Sequence, residues 1–79
     1  MKEEKIEQIL FRFEKAMGPM ARHLAMEIAE KKKIIKENKI SPSDQQEYTS
    51  FLTEFTIECS KIAGRDMVER LLEEIEKEE

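Results

Sequence analysis

Apolar side chains recur at steps of three and four residues through almost the whole chain, and this spacing constrains the fold more than any other feature. The first stretch carries Ile6, Ile9, Leu10, Phe13 and Met17. The second carries Met20, Leu24, Ala25, Ile28 and Ala29, then Ile34 and Ile35 after three lysines. The third carries Tyr48, Phe51, Leu52, Phe55, Cys59, Ile62 and Ala63, and the last Met67, Val68, Leu71, Leu72 and Ile75. Each stripe lies on one side of an α-helix, where it can be buried against another helix. With two Gly, two Pro, no Trp and few consecutive β-branched residues, the composition argues against a sheet.

Three interruptions divide the pattern. Pro19 in Gly18-Pro19 lacks an N–H and disfavours helical geometry at the preceding residue, so a helix through Met17 ends there and another begins. In Ser41-Pro42-Ser43-Asp44, Ser41 reads as an N-cap, Pro42 as the first helical position, and Asp44 as a carboxylate facing the positive end of the helix dipole. Gly64 is either a helix stop or a glycine within one long helix. The sequence therefore predicts an all-α, three- or four-helix bundle over residues 3–17, 19–38, 42–63 and 65–77, assembled as a dimer. Residues 1–79 form a single helical domain, with the charged ends Met1 to Lys5 and Glu76 to Glu79 frayed.

Seventy-nine residues bury only a modest fraction of their surface, so reinforcement is needed. A lone cysteine excludes an internal disulfide, and a lone histidine leaves almost nothing for structural zinc. Helix packing and self-association remain. Charge is uneven: residues 1–17 carry zero, 18–40 carry +3, 41–63 carry −3 and 64–79 carry −4. The opposite second and third segments suit packing side by side or against a copy. An acidic total disfavours nonspecific binding to DNA or anionic lipid. With no membrane-length apolar run and no signal-peptide core, the chain reads as soluble and cytoplasmic. Its Lys and Glu bias suits long helices and is shared by proteins from hot environments.

Few residues offer chemistry. His23 has Glu27 one turn and Glu30 two turns along the helix, but such a pair supplies too few metal ligands without a partner chain, and a polar boundary position is the simpler reading. Cys59 lies on an apolar stripe far from any base, so it packs in the core. Lys31, Lys32, Lys33, Lys36 and Lys39 form the one basic patch and support an alternative reading as a nucleic-acid-binding helical protein. No arginine or aromatic interleaves them, so base readout and stacking are poorly served. The carboxylates from Glu69 onward fit no calcium loop and read as a solvated face with helix-surface pairs. The sequence predicts no catalytic residue, no cofactor and no metal.

Phe11, Met26 and Ile57 fall off the cleanest stripes, and a second apolar side on a helix this short of partners is expected to meet another subunit. The candidate interface residues are Phe11, Phe13, Met26, Phe51, Phe55 and Ile57, in a homodimer or against another protein partner.

Residues Phe13 to Leu24 are centred on Gly18-Pro19-Met20-Ala21. These four resemble the Gly-Pro-aliphatic-Ala motif of a small helical module found at the C-terminal ends of some bacterial signalling proteins, including certain serine/threonine kinases and roadblock-associated proteins. The second half is similar in outline, with a Ser-led helix start at Ser41, the Phe51-Leu52 pair, and Leu71-Leu72 in a closing helix. The resemblance spans about residues 9–75, and its specific element is the four-residue motif. It implies an accessory interaction domain that performs no catalysis.

Overall fold

The computed structural model describes residues 2–77. Four helices occupy most of them: α1 (Lys2–Met17), α2 (Met20–Lys32), α3 (Gln45–Ala63) and α4 (Arg65–Lys77). A two-stranded hairpin, β1 (Ile35–Lys36) and β2 (Lys39–Ile40), stands between α2 and α3. The all-α class holds and the helix count is four. Of the expected frayed ends, Met1, Glu78 and Glu79 lie outside the described residues, whereas Lys2 to Lys5, Glu76 and Lys77 are helical.

Helix α1 buries Ile6, Ile9, Leu10 and Phe13 along its stripe. It stops where expected: Gly18 adopts φ +85° and donates its N–H to the Glu14 carbonyl at 2.7 Å. Pro19 then caps α2, whose buried face is Ala21, Ala25, Ile28 and Ala29. Three alanines on that face allow a close approach to neighbouring helices, because interaxial distance follows side-chain size at the contact.

Helix α2 ends six residues before the close of the expected 19–38. Its end is a Schellman turn: Lys33 adopts a left-handed conformation (φ 59°, ψ 42°) and donates to the Glu30 carbonyl, and Ile34 donates to the Ala29 carbonyl at 3.0 Å. The chain emerges extended. Ile35 pairs with Ile40 and Lys36 with Lys39 in antiparallel register. The turn residues Glu37 and Asn38 both have positive φ, 51° and 64°, as a tight two-residue hairpin requires. Ser41 N–H adds a bond to the Ile34 carbonyl at 2.6 Å. The expectation of no sheet is thus corrected for four residues.

The start of α3 also moves. Ser41 is engaged by the hairpin and Pro42 is buried ahead of the helix. The cap is Asp44, which accepts the Glu47 N–H at 2.9 Å, while Glu47 Oε1 accepts the Ser43 N–H at 2.7 Å. This reciprocal arrangement relieves two backbone donors at once. At the far end, Gly64 separates α3 from α4 with φ +95° and ψ 147°.

The helices form a ring in which α1 packs on α2 and α4, and α3 packs on α2 and α4. The hairpin leans on α1 and α2. At the centre the Phe13 and Phe55 rings lie 5.1 Å apart at 53°, and Phe51 lies nearly parallel to Phe55 at 5.8 Å. Lys32, at the end of α2, donates to Ser50 Oγ at 2.7 Å and pairs with Glu54 at 3.2 Å, so α2 and α3 run antiparallel. This bridge joins the basic second segment to the acidic third within one chain. The Gly18-Pro19 and Gly64 turns consequently lie at one end of the bundle and the hairpin at the other.

Gly64 makes this topology. A Cβ there would meet nothing within 4 Å, so crowding is not the obstacle and the backbone conformation is. Gly64→Ala is expected to cost on the order of 1–3 kcal/mol. The loss would appear as a fall in Tm of roughly 4–8 °C per kcal/mol for a domain of this size. An unchanged Tm would mean that the helix break is not built on this glycine.

Candidate interaction surface

The six candidate interface residues separate into three groups. Phe13, Phe51 and Phe55 are completely buried in the single chain, so a partner docking on this conformation would not touch them. Their place on the core stripes decides this: the three rings pack on one another at the centre of the core. Met26 is half-buried against the core. Phe11 and Ile57 are 56% and 50% exposed and remain available.

Three further large apolar residues are open to water: Met20 at 51%, Ile62 at 53% and Met67 at 37%. All three lie on helical stripes that read as core. Their exposure follows from position, because Met20 and Met67 are in the first turns of α2 and α4 and Ile62 is in the last turn of α3. A stripe residue at a helix end projects past the neighbour that would have covered it. Met20 precedes Lys32 by twelve residues, about 18 Å of helix rise, which brings it level with the Ile62–Gly64 end of the antiparallel α3. Met67 lines a shallow hollow at that end with Ala63, Gly64, Arg65, Asp66 and Arg70.

Phe11 has different surroundings. It lines an open groove with Glu4, Glu7, Gln8, Arg22 and Lys39, between α1, α2 and the hairpin. The Lys15 ammonium sits 4.9 Å from the centre of its ring, a cation–π contact that keeps its face partly occupied. Arg22 crosses the groove, 2.9 Å from Glu14 and 3.3 Å from Glu7. The charges lining the groove balance, two carboxylates against two cations.

The remaining candidates have ordinary roles. His23 Nε2 is 2.9 Å from Glu27 Oε1 in an exposed pair, and no group of three metal-ligating side chains converges among the described residues. Cys59 is fully buried, and burial, helped by nearby Glu58, pushes its thiol up to about 11. A thiol so held is protonated at neutral pH and is a poor nucleophile. Of the lysines, Lys32 is engaged by Ser50 and Glu54, while Lys31, Lys33, Lys36 and Lys39 are exposed around the hairpin. On α4, Arg65 pairs with Glu69 at 3.1 Å, a surface contact four residues apart. Among the described residues no helix is long and apolar enough to cross a membrane.

No protein-family profile, curated protein or solved structure matches this chain. The surface must speak for itself.

Proposed function

We propose that this chain is a small non-catalytic interaction module that associates with a second copy of itself as a homodimer and serves as an accessory in a cytoplasmic signalling assembly. The observation that carries the reading is the set of five large apolar side chains that, among the described residues, are left open to water: Phe11, Met20, Ile57, Ile62 and Met67. A domain this size has a small core and gains proportionately more than a large one by covering such residues. Burying the open half of one such side chain contributes roughly 1 kcal/mol. The resemblance around Gly18-Pro19-Met20-Ala21 supports the accessory role and the absence of catalysis.

Sedimentation over a range of concentrations tests the proposal. The expected result is a concentration-dependent rise in mass from one chain to two. A single-chain mass at high concentration, with the circular dichroism of an intact helical bundle, would reject self-association.

A further inference from the structure

We propose that the two copies meet end to end, with the Gly18-Pro19 and Gly64 turns of one chain against the same turns of the other. This rests on the self-association reading above and assigns its contact face.

The chemistry of the turns points to that end. Connections between helices are ordinarily polar. The hairpin end obeys this with Lys36-Glu37-Asn38-Lys39, but the opposite end does not. Ala16-Met17-Gly18-Pro19-Met20-Ala21 contains six consecutive residues without a polar side chain, in a chain that is 41% charged. Ile62-Ala63-Gly64, at the same end, is equally apolar. Three of the five exposed apolar side chains, Met20, Ile62 and Met67, gather there. Methionine adapts its shape to an incoming surface, which suits a contact between two identical faces. Phe11 and Ile57, by contrast, are single exposures on the sides of helices, each about 9 Å of helix rise short of this end.

The charge pattern fits a second copy as the occupant. Around the two turns, Lys15, Arg22, Lys61, Arg65 and Arg70 stand with Glu14, Glu58, Asp66 and Glu69, and Arg22 on Glu14, Lys61 on Glu58 and Arg65 on Glu69 are already paired. A rim of mixed sign, close to neutral, repels its own image little across a two-fold axis. The excess negative charge resides elsewhere on the molecule, and end-to-end contact keeps it far apart. The available area agrees. The protein spans 30 × 26 × 19 Å between Cα atoms, which limits any one face to several hundred Å². With side chains such a face offers roughly 600 Å², somewhat below the ~800 Å² per partner of a standard stable interface. The dimer is accordingly a weak one that exchanges with monomer.

Two substitutions isolate this face. Met20→Glu and Met67→Glu fall in the first turns of α2 and α4, where a carboxylate complements the helix dipole, so the fold is retained. The double variant is expected to weaken dimerisation at least tenfold in sedimentation, with unchanged circular dichroism. The paired Phe11→Ser and Ile57→Ser variant is expected to leave it within about twofold. Spin labels give an independent reading, since buried Cys59 does not compete for them. Labels on Arg65→Cys are expected to lie close together across the dimer, and those on Lys36→Cys, at the hairpin end, much farther apart. A dimer that survives both glutamates, or Lys36 labels closer than Arg65 labels, overturns the end-to-end contact while self-association stands. A wild-type chain that never dimerises overturns both.

Discussion

Phe55→Ala is expected to remove a large share of the chain's stability. Phe55 is completely buried on α3 and touches aromatic rings on two sides: Phe13 at 5.1 Å from α1 and Phe51 at 5.8 Å from its own helix. Removing the ring deletes the aromatic contact between α1 and α3 at the centre of the core. It also leaves a cavity that two other rings cannot fill without leaving their rotamers. Such truncations cost about 3–5 kcal/mol. Marginal stability of roughly 0.05–0.15 kcal/mol per residue gives a chain of this length only on the order of 4–12 kcal/mol to lose. Far-ultraviolet circular dichroism with urea titration measures the effect. The midpoint should fall by more than 1 M, since small proteins lose about 1–3 kcal/mol per molar urea. Phe11→Ala is the control: the same deletion at an exposed ring should shift the midpoint little. Equal effects at the two sites would mean that the centre of the core is misplaced.

The contrast between those two phenylalanines also shows what could be read from the residues alone. Phe55 repeats at four-residue steps with Phe51 and Cys59, and the structure buries all three. Periodicity therefore located the core, and treating Phe13, Phe51 and Phe55 as interface residues went against it. Phe11 and Ile57, off the stripes, are exposed as the same logic requires. Periodicity failed for Met20, Ile62 and Met67 because it assumes an infinite helix. It has no knowledge of where the neighbouring helix ends, and the candidate contact face lies just beyond that end.

The hairpin was hidden for a different reason. A Schellman stop usually announces itself with glycine, and Lys33 occupies that position instead, at a cost of about 1–2 kcal/mol for left-handed geometry. The buried Ile34 and Ile40 offset that cost by closing over the bottom of the core. The tight turn likewise uses Glu37-Asn38 where Asn-Gly would have been conspicuous. Ile34, Ile35 and Ile40 flanking a polar quartet were the available signal. They suit strands, but the lysines before them complement a helix C-terminus just as well. Tertiary burial broke the tie.

Alkaline pH should destabilise the fold through Cys59. Burial holds its thiol up to about 11, against an ordinary value of 9.0. Below pH 9 the thiol is protonated in folded and unfolded chains alike and does not influence stability. Between 9 and 11 the unfolded chain releases the proton and the folded chain keeps it. The folded state then binds more protons, so stability falls as pH rises. Each unit is worth about 1.4 kcal/mol, so the loss approaches roughly 2–3 kcal/mol by pH 11 and then levels off. The phenol of Tyr48, also raised by burial, adds in the same direction. Comparing urea midpoints of the wild type and Cys59→Ala from pH 8 to 11 separates the two groups. The variant loses some packing at every pH, but its pH slope should be shallower by the thiol's share. Parallel curves would show that the thiol ionises as easily inside the bundle as outside it, which a site sealed among Phe55 and its neighbours does not permit. At pH 8 the same burial should slow reaction with a disulfide reagent at least a hundredfold relative to the urea-unfolded chain, because the nucleophile is the thiolate and the folded site supplies almost none.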